Sequence, residues 1–130
     1  MIENKPTLKE FLNVNKPSKE TKTIVFKGGR LDGMEMSIKT LPLNRFKELT
    51  EQVESYEGTK FDLTIKTVLE GVTNPDFRNS EWIKENDVET PEQLLESLLT
   101  FAEINKIGDR ILEVSGITSD FDMVYKEAKN

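Results

Sequence analysis

The chain contains neither cysteine nor histidine. The absence of cysteine excludes disulfide bonds and thiol chemistry, and it is compatible with a reducing cytoplasm. The absence of histidine removes the commonest general base, and the two absences together remove the usual ligands of transition metals. The sequence therefore predicts a protein that is not an enzyme and that holds no metal or other cofactor.

Long apolar runs are also missing. None of the 130 residues lies in an uncharged apolar stretch of membrane-spanning length, and residues 1–6 lack the apolar core of a signal peptide. Charged residues make up 32% of the chain, and the net charge of -6 repels the phosphates of nucleic acids and of anionic membranes. We expect a cytoplasmic protein that forms a single domain over residues 1–130 and binds neither nucleic acid nor membrane.

The remaining candidates for chemistry are carboxylates and glycines. The pairs Glu92 with Glu96 and Asp120 with Asp122 suit acid–base chemistry or a hard cation. Acidic residues are frequent throughout the chain, however, so a solvated surface explains both pairs better. The glycines at 28–29 are followed by no Gly-Lys-Ser/Thr motif and no helix, which favours a turn over a phosphate-binding loop.

Residues 1–20 are predicted to form an N-terminal helix and a linker. Residues 7–15 read as a short amphipathic helix, in which Leu8, Phe11 and Leu12 share one face. The proline that follows interrupts the helix, because proline disfavours helical geometry in the residue before it. Two interpretations stay open: the helix docks on its own domain, or it is an arm that recognises a partner.

Residues 21–40 are predicted to form a β-hairpin. Apolar and polar residues alternate on both sides of a glycine-containing turn, which is typical of strands with one buried face. The apolar positions of this pattern are Ile24, Phe26, Met34, Met36 and Ile38.

The spacing of apolar residues becomes helical over residues 41–130. Two apolar stripes follow at this spacing. The first consists of Leu43, Phe46, Leu49 and Val53, and the second of Phe61, Ile65, Val68, Leu69 and Val72. A short helix capped by Asn79 or Ser80 follows. The sequence thus predicts an α+β fold that is predominantly α-helical, with an N-terminal hairpin followed by a bundle of short helices.

Residues 90–116 carry the most explicit helix signals. Thr90 is a hydroxyl cap, Pro91 suits the first helical position, and Gln93 can reach back to the cap. Apolar residues then recur at helical spacing until Gly116, which suits a left-handed helix end. The pattern fits either a helical hairpin or one bent helix.

Two single aromatic residues and the C-terminal segment have alternative interpretations. Trp82 more often anchors a small core than a partner, although tryptophan is enriched in binding hot spots. Phe101 is either a core residue, the favoured interpretation, or an exposed docking residue. In the C-terminal segment, Phe121, Val124 and Tyr125 share one face if it is helical, and they either close the core or stay available.

The order and spacing of several short motifs carry a resemblance over nearly the full chain. They are Leu8-Lys9-Glu10-Phe11-Leu12 with Asn15, Leu41 after the hairpin, Val72-Thr73-Asn74-Pro75-Asp76-Phe77, Val88-Glu89-Thr90-Pro91-Glu92-Gln93-Leu94-Leu95, Glu103-Ile104, Ile111 and Ser115-Gly116. On these motifs the chain resembles the XkdN-like tail assembly chaperones of contractile-tailed, PBSX-type phages and prophages. Thr100-Phe101-Ala102 departs from the Pro-Gly-like corner expected there.

The resemblance implies a non-enzymatic protein of virion morphogenesis. Such chaperones bind the long helical tape measure protein, keep it soluble, help to recruit tail tube subunits, and are then absent from the mature virion. The tail tube protein and a homo-oligomer are further candidate partners. We expect Leu8, Phe11 and Leu12 to bind the partner, with Phe101 and Trp82 as additional candidates. The alternatives are a structural tail connector or completion protein and a small acidic regulatory protein.

Overall fold

The computed structural model describes residues 7–15 and 20–118. This part of the chain contains six helices and a three-stranded antiparallel sheet, which confirms the predicted α+β class with helices predominating. In chain order the elements are α1 (Leu8–Val14), β1 (Thr21–Val25), β2 (Glu35–Lys39), α2 (Leu43–Ser55), α3 (Lys60–Gly71), β3 (Val72–Asn74), α4 (Ser80–Glu85), α5 (Pro91–Leu98) and α6 (Phe101–Val114).

The predicted hairpin is confirmed. Strands β1 and β2 pair antiparallel, with Ile24 opposite Met36. Gly28 and Gly33 in the turn have φ values of 80° and 85°, a region that glycine enters without steric cost. On β2, Met36 and Ile38 are fully buried while their neighbours point away, so the alternation of the sequence correctly identifies the core face.

The sequence does not predict strand β3, because the apolar spacing after residue 41 indicates helices only. Helix α3 ends at Gly71, and Val72, the last residue of the predicted helical stripe, pairs with Ile38 of β2. Two local features favour this change. Val72 and Thr73 are β-branched, and the proline at position 75 disfavours helical geometry just before it.

Residues 90–116 form two helices separated by a corner. Leu99 is extended, with φ -123° and ψ 148°, and Thr100 caps α6 through hydrogen bonds shared with Glu103. This corner needs neither proline nor glycine, so the helices separate although the expected motif is absent. The Gln93 side chain accepts from the backbone N–H of Glu89, not from that of the cap residue Thr90.

The core lies between the sheet and the helices. Its fully buried side chains come from β2, α3, α5 and α6: Met36, Ile38, Val68, Leu94, Leu95, Ile104, Ile107 and Ile111. Helices α3 and α6 pack closely, because Gly108 of α6 has no side chain where a Cβ would lie 2.9 Å from the Thr64 methyl group. A surface groove lies between these two helices.

Candidate interaction surface

Helix α1 displays its apolar residues to solvent. Leu8, Phe11 and Leu12 are 77%, 57% and 61% exposed, and no residue of the helix is buried. The helix is well specified locally, because Thr7 and Glu10 form a reciprocal capping box. We call Leu8, Phe11 and Leu12 the α1 stripe. Its exposure fits the interpretation of an arm better than that of a helix docked on its own domain.

Phe101 is the first residue of α6 and is 62% exposed. The core position favoured from sequence is therefore wrong for this residue. Its ring stacks on Phe61 of α3, with the ring centroids 4.5 Å apart and the planes at 28°. Offset stacking of this kind orders both rings. We call Phe61 and Phe101 the aromatic pair.

The aromatic pair lies at one end of the groove between α3 and α6. This end is also lined by Lys60, Thr64 and Asp109. The groove continues to apolar side chains of α2, α3 and α6, namely Phe46, Leu63 and Leu112. It therefore combines aromatic and aliphatic surface with a few polar groups at its rim, which is the usual composition of a protein-binding groove.

A long-range ion pair fixes the corner that carries Phe101. Arg30, in the hairpin turn, donates to the Glu103 carboxylate at 2.7 Å and to the Leu98 carbonyl at 2.5 Å. Partial burial acts to raise the pKa of Glu103, but the Thr100 backbone N–H and the Arg30 guanidinium outweigh it and lower that pKa. The hairpin turn, the end of α5 and the start of α6 are thus joined beside the aromatic pair.

Trp82 lies on α4 and is partly buried. Its ring stacks on the buried Phe77, with centroids 5.3 Å apart and an interplanar angle of 17°. It packs against the hydrophobic core, which supports the anchoring interpretation for this residue. The structure does not bring Trp82 together with the α1 stripe or the aromatic pair in any ring contact or shared groove among the described residues.

The carboxylates do not form a cation site within residues 7–15 and 20–118, where no three metal-ligating side chains cluster. Glu92 lies 3.7 Å from the ammonium group of Lys66. Asp120 and Asp122, together with the predicted apolar face of the C-terminal segment, lie outside the described residues. Among the described helices, none has the length and apolar character that a membrane span requires.

Sequence reasoning missed two members of this surface. The apolar spacing predicts only a core position for Phe61, and its stacking on Phe101 joins residues 40 positions apart in the chain. No motif of the sequence distinguishes Arg30, and its partner Glu103 is 73 positions away. No local pattern reports pairings over such distances, because they depend on how α3, α6 and the hairpin pack.

The fold and the sequence both have known counterparts. The crystal structure of the protein yqbn superposes with a TM-score of 0.62 at 17% identity, covering 92% of this chain and all of that one, which shows a shared fold. No curated protein matches the sequence. The model of the phage XkdN-like tail assembly chaperone family matches residues 8–129. The chain therefore belongs to the XkdN-like family of phage tail assembly chaperones.

Proposed function

We propose that this protein binds the tape measure protein of its phage in the host cytoplasm, keeps it soluble, and helps to recruit tail tube subunits around it. Membership of the tail assembly chaperone family carries this proposal. The protein acts only during tail morphogenesis and is absent from the mature virion. It forms no covalent intermediate and needs no cofactor, since its task is to cover apolar surface.

The exposed apolar side chains support such a task. A long helix with an apolar seam aggregates unless another surface covers the seam, and a short amphipathic helix or an aromatic groove suits that purpose. The α1 stripe offers three large side chains on one face, and the aromatic pair offers a second apolar site. The net charge of -6 then keeps the covered complex dispersed.

The α1 stripe is tested by the double substitution Phe11→Ser and Leu12→Ser. Because α1 buries none of its residues, the melting temperature should stay within a few degrees of that of the unchanged protein. Co-expression with the tape measure protein should then leave the tape measure protein in the insoluble fraction. The matched control is Lys9→Ser with Asn13→Ser, on the exposed polar side of the same helix, which should keep it soluble.

Two results would count against this assignment. A double variant that still keeps the tape measure protein soluble would show that the α1 stripe is not the docking surface. Unfolding of the double variant would show instead that α1 stabilises the fold.

A structural tail protein and an assembly chaperone differ in whether they remain in the mature particle. A tail connector or completion protein remains in the particle, whereas an assembly chaperone leaves it. Mass spectrometry of purified particles should therefore detect no stoichiometric copies of this chain, although deletion of its gene should prevent tail formation. Detection at a fixed copy number would favour a structural component.

A further inference from the structure

A groove runs between the outer edge of β1 and helix α6. Strand β1 is at one edge of the sheet, since the strand order is β1-β2-β3. Two neighbouring depressions that share Ile24 and Arg110 form the groove. We call it the β1–α6 groove; its apolar floor consists of Ile24, Phe26, Ile107 and Val114. No residue of the α1 stripe or of the aromatic pair lines it.

The outer edge of β1 offers backbone groups for a further strand. The Phe26 N–H donates to the Met34 carbonyl of the hairpin at 3.0 Å. In an antiparallel pair, alternate residues bond to the partner strand, so Thr21, Thr23 and Val25 direct their backbone groups away from β2. Within the described part of the chain no strand pairs with that edge. An open edge of this kind readily adds another extended segment.

The groove concentrates positive charge in a protein whose net charge is -6. Four cations line it, namely Lys22, Lys27, Lys106 and Arg110. Glu113 is the only carboxylate among the described lining residues, and it pairs with Arg110 at 2.7 Å. Lys27 and Lys106 form no salt bridge with any residue that the structure describes. The groove therefore complements an acidic occupant.

The positions of the cations define that occupant further. Lys22 lies near the start of β1, whereas Lys27 follows the end of the strand and lines the groove together with Lys106. Positive charge is thus present at both ends, with the apolar floor between them. The five residues of β1 span about 17 Å at about 3.4 Å per residue. A matching segment has about five extended residues and carboxylates at both ends.

Two other occupants fit this surface less well. A second copy of the chain, paired through its own β1, would bring four more cations against these four, and like charges across paired strands are destabilising. A nucleic acid has no row of peptide groups to pair with the strand edge, and the net charge of -6 repels a long polyanion.

We propose that the β1–α6 groove binds an extended acidic segment of a partner protein, which adds to β1 as a further strand. Apolar side chains at alternate positions of the segment cover the floor. Its terminal carboxylates approach Lys22 at one end and Lys27 and Lys106 at the other. This docking site is separate from the α1 stripe and the aromatic pair, so the inference does not depend on how the tape measure protein binds.

A synthetic peptide tests the proposal on the full chain. The fluorescein-labelled peptide Asp-Glu-Val-Thr-Val-Thr-Val-Glu-Asp has a β-branched centre as long as β1 and carboxylates at both ends. Fluorescence anisotropy should show saturable binding. A control peptide with lysine at the acidic positions should bind at least tenfold more weakly. A second control, with proline in place of both threonines, keeps the charge but disfavours a strand, and its affinity should fall equally.

The role of the cations is tested by the double substitution Lys27→Gln and Lys106→Gln. It should weaken binding of the acidic peptide several-fold, and raised salt should remove the difference. The matched control is Lys47→Gln with Lys84→Gln, which changes the net charge equally at exposed positions of α2 and α4 and should leave the affinity unchanged. Equal affinities of the two double variants would contradict the role assigned to the groove.

The role of the strand edge is tested by Thr23→Pro. This substitution removes an N–H that points away from β2, so the hydrogen bonds of the hairpin remain while one donor to the peptide is lost. Binding should weaken at least tenfold. Thr23→Ala keeps the N–H and should bind as the unchanged protein does. If proline disrupts the hairpin, the comparison of the acidic peptide with its proline-containing control still decides whether a strand is added.

Several results would overturn the proposal. Absent binding of the acidic peptide, or equal binding of the lysine peptide, would show that the groove does not select an acidic segment. Equal binding of the proline-containing peptide would show that no strand is added. Tighter binding of a single-stranded oligothymidylate would identify a nucleic-acid surface. Dimers of the protein alone that Thr23→Pro abolishes would identify a second copy as the occupant.

Discussion

Glu70 shows how one carboxylate joins two helices and a loop. It accepts a hydrogen bond from Arg45 of α2 at 2.9 Å, and the Arg78 guanidinium lies 3.7 Å away. The bond from Arg45 lowers the pKa of Glu70, against the opposing effect of partial burial. A carboxyl whose pKa is lowered by folding stabilises the protein above its unfolded value of 4.5 and loses that contribution as the pH falls.

The first prediction follows from the lowered pKa of Glu70. Glu70→Gln should lower the free energy of unfolding by about 1 kcal/mol near neutral pH, and the deficit should shrink as the pH falls to about 3. Urea titrations at both pH values measure it. Glu48→Gln is the matched control, because Glu48 bonds to the same Arg45 but is 57% exposed, so little change is expected. A deficit equal at both pH values would contradict the prediction.

Gly71 provides a second prediction, based on close packing. A Cβ at this position would lie 2.7 Å from two carbon atoms of Ile111, which is completely buried. Gly71→Ala should therefore destabilise the protein by about 1–3 kcal/mol, although alanine is the better helix former. In the Ile111→Ala background the obstructing atoms are gone, and the same substitution should cost nearly nothing. A double-mutant cycle by urea unfolding checks this coupling.

At the scale of the elements, helices α1 and α6 begin with the same kind of cap, but only α6 packs into the core. Each starts with a threonine cap and a glutamate three residues later, Thr7 with Glu10 and Thr100 with Glu103. Helix α6 supplies Ile104, Ile107 and Ile111 to the core, whereas α1 buries nothing. The cap of α6 is therefore coupled to the stability of the whole fold.

The third prediction compares these two caps. Thr100→Ala should lower the free energy of unfolding by about 1 kcal/mol, the usual cost of a lost cap. Thr7→Ala should leave global unfolding unchanged and only increase the fraying of α1. Thermal unfolding followed by circular dichroism distinguishes the two variants. A similar loss of stability in both would indicate that α1 packs on the fold.

Elements with local signals were predictable from the sequence, and elements made by tertiary pairing were not. The start of α5 at Pro91 and the cap of α4 at Asn79 follow from residue types that act within one turn. Strand β3 has only three residues, and it exists because β2 offers an edge. For the same reason the sequence wrongly favours a core position for Phe101. Its exposure depends on how α6 lies against α3, which periodicity does not report.

At the scale of the whole molecule, one hydrophobic core connects the sheet with α2, α3, α5 and α6. We propose that residues 20–118 unfold as one cooperative unit. Fluorescence of Trp82, the single tryptophan, should then change at the same urea concentration as the far-ultraviolet circular dichroism of the helices. An earlier fluorescence transition would show instead that α4 and the surrounding loops form a separate unit.

The bond between Arg30 and Glu103 has a consequence for the newly made chain. The hairpin leaves the ribosome before its partner helix, because Glu103 follows Arg30 by 73 positions, a length of chain that takes about 4 to 15 s to synthesise. During that interval Met36 and Ile38 have no α6 to cover them. Substitutions that weaken α6 should therefore reduce the yield of protein from cells more than its melting temperature indicates. A weaker α6 covers the sheet more slowly, which adds to the time for which the sheet is exposed during synthesis.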